Sequence, residues 1–282
     1  MCVIYFKGQE VTGMWQTFAF MALMTVGQQV ATPPLEFLNI RAPMGIYGAN
    51  RPDSKKYHPG DNFILAFDIN GLKVDAIGQA FYSLAGELFD KDGKSIIKTS
   101  PKETAAFNPL GGARLPAYAA VPINLEMPAG TYTYKLTLTD LTDKRTNLLT
   151  QSFEVLPKSL GFVLWHMTYE NNLPAPPVGV PGQEFILRFC VTGFATDPQT
   201  RKPNVSFSVR ILDEAGIPTL SKPFTGEAKD LPEEFKDIFP VSIPIRPNRP
   251  GRFRIEASVT DNLTRTKTTI KQETPFLVLE PK

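Results

Sequence analysis

The chain is short of the residues on which most enzyme chemistry depends. Its 282 residues include two histidines, His58 and His166, and two cysteines, Cys2 and Cys190. Neither histidine lies in a His-Glu-x-x-His zinc motif or a Gly-x-Ser-x-Gly nucleophile turn, and no Gly-rich phosphate loop is present. The usual starting points for metal-assisted hydrolysis, acyl transfer and nucleotide chemistry are missing. Charge of one sign is lacking too. The formal net charge is +2, with 13 basic and 13 acidic side chains over 32–157 and 16 and 14 over 158–282. Neither stretch has the field that would draw it to nucleic acid or to an anionic membrane, so no nucleic-acid partner is expected.

Long apolar runs are also absent. The one near the start, Phe18–Val26, has nine residues, where a transmembrane helix needs about 20. Its length suits the apolar stretch of a secretory signal, and Gly27 and Ala31 offer small residues near a cleavage point. Residues 1–31 are therefore read as a signal peptide or a disordered N-terminal extension. The expected location is extracytoplasmic, periplasmic or secreted, with a cytoplasmic extension as the alternative. If Cys2 leaves with that segment, Cys190 stands alone and no internal disulfide forms. Two cores must then hold by burial, for which about 120 residues each suffice. Cys190 lies between Phe189 and Val191, out of phase with the apolar face, and reads as a partly covered thiol rather than a reactive one.

What the chain does have is proline and a repeat. It holds 26 prolines, against about 14 at average usage. Proline is excluded from helix interiors and tolerated in turns and on edge strands, so the excess favours sheet architectures with punctuated loops. The stretch "PGDNFILAFDINGLKVD" (59–75) returns as "PGQEFILRFCVTGFATD" (181–197), with eight identities in 17 ungapped positions. Phe63, Leu65, Phe67 and Ile69 alternate onto one face, and Phe185, Leu187, Phe189 and Val191 repeat it. This is the pattern of a half-buried antiparallel strand.

Further matches keep their order and nearly their offset. "YSLAGELFDKDG" (82–93) answers "VSFSVRILDEAG" (205–216), and "FEVLP" (153–157) answers "FLVLEP" (276–281). "VPINLEMPAGTYTYKLTLTDLTDKRT" (121–146) answers "VSIPIRPNRPGRFRIEASVTDNLTRT" (241–266), with one extra residue before the second Gly. The spacing implies a duplicated domain, at 35–157 and 160–282, of about seven strands per copy.

"PAGTYTYKLTLTD" resembles a strand common in bacterial immunoglobulin-like and fibronectin-type domains, where Pro-x-Gly-x-aromatic introduces the penultimate strand. The resemblance implies an all-β fold of two tandem antiparallel Ig-like β-sandwiches. It brings no catalytic residues, and the paired cysteines of antibody domains are missing. One helical exception, a short turn crossing between sheets, is expected at "LPEEFKDIF" (231–239), where Phe235, Ile238 and Phe239 share a face at i, i+3, i+4.

Candidate site residues are few. Asp90 and Asp92 in "DKDGKS" lack the further oxygen ligands of a Ca²⁺ loop, and the second copy reads "DEAG", so both copies read as Asp-Gly turns. Asp140 and Asp261 each end the same strand in a Thr-Asp pair, and both are expected to accept backbone N–H groups and fix the following turn. His58, before Pro59-Gly60, reads as an exposed turn residue. Arg246, Arg249, Arg252 and Arg254 crowd "RPNRPGRFR", where a solvated strand face accounts for them.

The binding candidates are Trp165 and Tyr169, in "GFVLWHMTYE", whose rings would stack on a sugar if exposed. The competing reading packs Trp165 and Met167 into the core or the joint between domains. No metal and no cofactor are expected. The expected role is a non-enzymatic structural or binding module engaging a protein or polysaccharide at the cell envelope. The alternatives are a carbohydrate-binding accessory to a hydrolase and, less favoured, a hydrolase with a dispersed acid pair.

Overall fold

The computed structural model describes residues 33–112 and 114–281, so Cys2 and the expected signal lie outside the described residues. The fold is all-β. In the first half run β1 (Glu36–Arg41), β2 (Lys56–Tyr57), β3 (Asn62–Asn70), β4 (Gln79–Phe89), β5 (Ser95–Lys98), β6 (Lys102–Phe107), β7 (Arg114–Pro122), β8 (Gly130–Asp140) and β9 (Thr146–Val155). The second half follows with β10 (Gly161–Tyr169), β11 (Pro174–Ala175), β12 (Val178–Gly179), β13 (Phe185–Thr192), β14 (Val205–Leu212), β15 (Phe224–Ala228), β16 (Ile238–Ile245), β17 (Gly251–Asp261) and β18 (Thr269–Val278).

The halves share one plan. In the first, a sheet β1-β3-β7 faces a sheet β2-β9-β8-β4, with both β5 and β6 paired to β4. In the second, β11-β10-β13-β16 faces β12-β18-β17-β14-β15. All pairs are antiparallel except β2 with β9 and β12 with β18, the same place in each half. Each sheet pair encloses its own apolar cluster. One is built on Phe63, Leu65, Phe67 and Ile69, the other on Phe185, Leu187, Phe189 and Val191, as the alternation requires.

The paired acids do the same task twice. Asp140, fully buried, accepts N–H bonds from Thr142 (2.9 Å) and from Lys73 (2.8 Å). Asp261 accepts from Leu263 (3.0 Å) and from Ala195 (2.7 Å). Each carboxylate thus fixes its own turn and also clamps the loop leaving β3 or β13, a second contact that the turn reading did not include. That loop starts at Gly71 or Gly193, with φ of 78° and 66°, where a Cβ would run into the carbonyl of Pro34 or Ser159.

Three expectations are corrected. Residues 231–239 hold one 3₁₀ turn, Glu233–Phe235, while Ile238 and Phe239 belong to β16, where alternation with exposed Pro240 makes a strand of them. The strand β3 is buried on both faces rather than one: Ile64 and Ala66, on its outer face, are 7% and 4% exposed, and Ile64 lines a hollow with Met44, Gly45 and Ile46. The third concerns register. Phe63 pairs with Val121 and Phe185 with Ile245, so β7 and β16 match four residues out from the Val121–Val241 alignment. The true partners across the repeat are Leu115 with Phe239, Ala117 with Val241, and Ala119 with Ile243.

Candidate functional site

Titratable side chains gather at the joint between the halves. The segment before β3 carries Arg51, Tyr57, His58 and Asp61. Asp61, 2% exposed, receives Arg51 through one oxygen at 2.7 Å. Its other oxygen accepts the N–H of Asn62 at 2.8 Å and that of Leu164, in the second half, at 3.0 Å. Leu164 offers that N–H because β10 bulges there, with Leu164 at φ 53° and the β10–β13 register shifting between Val163 and His166. The Arg51 guanidinium also lies 4.5 Å from the centre of the Tyr57 ring.

Burial sets the protonation states at this joint. It pushes the Tyr57 phenol up to about 12 and the Cys190 thiol up to about 11, in each case with Asp61 adding to the shift. It also lowers the His58 imidazole, against the pull of Asp61. His58 is therefore no exposed turn residue. Its ring fills the space over Gly161, where a Cβ would come within 2.5 Å of it, and its buried Nδ1 has no partner among the described residues. Groups held this tightly act as a latch between the halves.

The predicted ligand rings belong to the same region. Trp165 is 4% exposed, stacked on Phe189 at 5.1 Å with Phe162 at its edge, and shares the second core with Met44 from the first half. Packing at the joint accounts for it and leaves no ring face for a sugar. Tyr169 is half-buried against Phe185 and lines a shallow hollow with Glu170, Asn171, Glu184 and Arg246. The arginine cluster is spread out: Arg246 pairs with Glu184, Arg249 lies over Phe253, and Arg254 pairs with Glu273. Asp90 and Asp213 accept the backbone N–H groups of their own turns. Among the described residues, no three His, Cys, Asp or Glu side chains are grouped to hold a metal ion.

A second place had no part in the sequence reading. The first sandwich is open along one side, between the free edges of β6 and β7, as a cleft of about 750 Å³. Phe67, Leu84 and Leu136 form its depth, and Ala117 and Ala119 form the β7 wall. Tyr82 and Tyr134 reach into it from β4 and β8. They are 7% and 4% exposed, and burial raises both phenols. The hydroxyls of Tyr57 and Tyr132 bond backbone carbonyls, whereas those of Tyr82 and Tyr134 bond nothing among the described residues. Gly86 makes the room: a Cβ there would meet the Tyr134 hydroxyl at 2.1 Å. Thr99, Ser100, Lys102 and Thr104 form the mouth.

At the matching positions the second sandwich carries apolar side chains, all buried. Pairing register places Val209 where the first half has Gly86, Val205 for Tyr82, and Ile255 for Tyr134. Val241 and Ile243 stand for Ala117 and Ala119. Phe224 pairs with Val209, where in the first half Thr99 only bonds Gly86 before the chain turns into β6. The available signal was the mismatch of Tyr82 and Gly86 with Val205 and Val209 in otherwise matching strands. The alanines were hidden by the four-residue slip of β7 against β16.

No protein family matches the chain, and no curated protein does. Among solved structures, the red sea bream transglutaminase aligns over 88% of this chain at 11% identity and a TM-score of 0.27. This chain spans 31% of that enzyme's length. The C-terminal domain of the Streptococcus agalactiae AgI/II polypeptide BspA aligns over 85% of this chain and 99% of its own, at 10% identity and a TM-score of 0.26.

Proposed function

We propose that the protein is a non-catalytic binding module built from two Ig-like sandwiches that descend from one by duplication, working outside the cytoplasm on a cell-envelope partner, protein or polysaccharide. The observation that carries this reading is the open cleft of the first half, set against its filled counterpart in the second. Two copies of one plan diverge in the way expected if one took up a ligand and the other remained a support. Supporting the non-catalytic reading, the acids Asp140 and Asp261 are spent on backbone clamps, and Asp61, Arg51 and His58 on the latch. Arg51, Asp61 and His166 do line one hollow of about 330 Å³ at the joint, but there Asp61 is already paired with Arg51 and with backbone N–H groups.

Strand addition is a poorer mode of capture. The free edge strands β7 and β16 carry Pro116 and Pro122, and Pro240 and Pro244, at even spacing. Prolines so spaced strip donors from one side of the backbone, as edge strands do when they avoid pairing with another chain.

The test is sedimentation of the purified chain with washed cell envelopes from its source. The double variant Ala117→Val, Ala119→Ile, which installs the second half's residues, should remain in the supernatant while the native chain pellets. If neither pellets, or both pellet equally, the reading is wrong.

A further inference from the structure

We infer that the cleft between β6 and β7 is a saccharide site, an inference that rests on the binding-module reading and names its ligand class. Tyr82 and Tyr134, each more than nine-tenths buried, line the cleft, and neither hydroxyl bonds a described residue. Among the described residues the buried atoms without a partner are Arg51 Nε and His58 Nδ1, so both phenol oxygens reach solvent through the open cleft, where a ligand's hydroxyls can take the place of water.

The two walls differ in the way a pyranose ring requires. Phe67, Ala117 and Ala119 present an apolar surface to one side. Tyr82, Tyr134, Ser100 and Thr104 present hydroxyls on the other, with the Lys102 ammonium at the mouth. A pyranose has an apolar C–H face and a rim of hydroxyl groups, each both donor and acceptor, which matches tyrosine, serine and threonine hydroxyls. An acyl chain would leave the phenols unpaired.

The cleft continues around the β7 edge onto the outer face of its sheet. There Tyr47 and Tyr118 are about half exposed, at 54% and 48%, beside Arg41 and an Asn39–Asp68 hydrogen bond of 2.7 Å. Two exposed rings with polar neighbours extend the site along a chain of sugars rather than around a single one. Lys102 and Arg41, facing only Asp68 among the acids lining the cleft, favour a saccharide that carries carboxylates.

The experiment is isothermal titration of the full chain with purified oligosaccharides of defined length, one series neutral and one built of uronic acids. The uronic series should bind more tightly than the neutral one. Tyr134→Phe, which removes one hydroxyl and no carbon, should weaken binding at least tenfold. Ala117→Val with Ala119→Ile should abolish it, while the urea midpoint stays equal to or above that of the native chain. Lys102→Gln should remove the preference for the uronic series. No binding to either series overturns the saccharide assignment, and so does binding that Tyr134→Phe leaves unchanged. The two readings fail separately. Envelope sedimentation that depends on the cleft, without oligosaccharide binding, overturns the saccharide and keeps the binding module with a protein ligand. Loss of both results overturns both.

Discussion

The first and second halves of this chain solve the same packing problem with different residues, six of them around the cleft. In the second half Val205, Val209, Ile255, Val241 and Ile243 meet across the sheets, and Phe224 stands at the edge. In the first half these places hold Tyr82, Gly86, Tyr134, Ala117, Ala119 and the Thr99–Ser100 corner. The exchange is not random loss of volume. Two of the six gain a phenol, and one of them, Tyr134, sets its hydroxyl where a Cβ on Gly86 would lie. A core that had merely decayed would be expected to collapse or fill with apolar side chains, since an empty space is destabilising. The comparison teaches that the second half marks what the fold needs, and the first half's departures from it mark what the fold does not need.

The comparison breaks first at the latch. Replacing Asp61 with Ala strands the Arg51 guanidinium, 13% exposed, and frees the Leu164 N–H. Breaking a buried pair from one side costs about 3–5 kcal/mol. The Asp61→Ala chain should therefore melt in two calorimetric steps, the first and second halves separately, where the native chain melts in one. A single step at an unchanged temperature would mean that the joint carries no energy.

The cleft is tested next, by exchange in both directions. Ile243→Ala removes a side chain that is 8% exposed and should cost about 2–5 kcal/mol. The reverse change, Ala119→Ile, puts three carbons into existing space and should gain about 1–2 kcal/mol after imperfect fit is allowed for. Urea denaturation of the two variants reads both. A loss at Ala119→Ile would show that the first half is already full.

The acid clamps should be close to equal but not identical. Asn in place of Asp140 or Asp261 keeps one acceptor and turns the other into a donor facing a backbone N–H, for a loss of about 1–3 kcal/mol. Asp140 also has Arg145 at 3.5 Å, and Asp261 has no such cation in salt-bridge reach among the described residues. Asp140→Asn should be the worse of the two, and the reverse order would put the clamp's strength elsewhere than in charge.

Much of this was written in local pattern, and some of it was beyond pattern. The strand faces of β3 and β13, the separate clusters and the Asp140–Asp261 turns follow from alternation and from a matching Thr-Asp pair, which are properties of neighbours in the chain. The latch is not such a property. It depends on a bulge at Leu164 meeting a carboxylate 103 positions earlier, and nothing near either residue announces the other. His58 reads as a turn residue beside Pro59-Gly60 for the same reason, since the surface that buries it is supplied by Gly161. The cleft lies between these cases. Tyr82 and Gly86 could be compared with Val205 and Val209 by eye, but the alanines only find Val241 and Ile243 once strand pairing sets the register. Aligning Val121 with Val241 followed residue identity, and the sheet follows hydrogen bonding.

A subtler difference is the response to acid. His58 lies in the first half, and the second half has Val180 at the matching position before its Pro-Gly pair. Burial holds the folded His58 below its ordinary value near 6.5, which the unfolded chain retains. Above that value both states are neutral and the group has no effect. As pH falls below about 6.5 the unfolded chain takes up the proton first, so stability drops until the folded value is passed. Asp61 opposes the shift and Arg51 reinforces it, which keeps the expected effect modest. The urea midpoint of the native chain should fall between pH 7.5 and 5.5 by more than that of His58→Gln. His166 is present in both chains and cancels. Equal falls would remove His58 from the account.

The smallest effect separates the two crossovers between sheets. In the second half Phe235, on the 3₁₀ turn, packs half-buried on the core together with Leu231. In the first half the corresponding passage "NPLGG" leaves Leu110 96% exposed, packed on nothing. Leu110→Ala should change stability by no more than about 0.5 kcal/mol, as substitutions at exposed sites do. Phe235→Ala should cost about 1–2 kcal/mol, part of the 3–5 seen for fully buried phenylalanines. Urea midpoints measured side by side decide it. A measurable loss at Leu110 would mean that the first crossover is held down by contacts its sequence gives no reason to expect, and the cleft would then be less open than its lining implies.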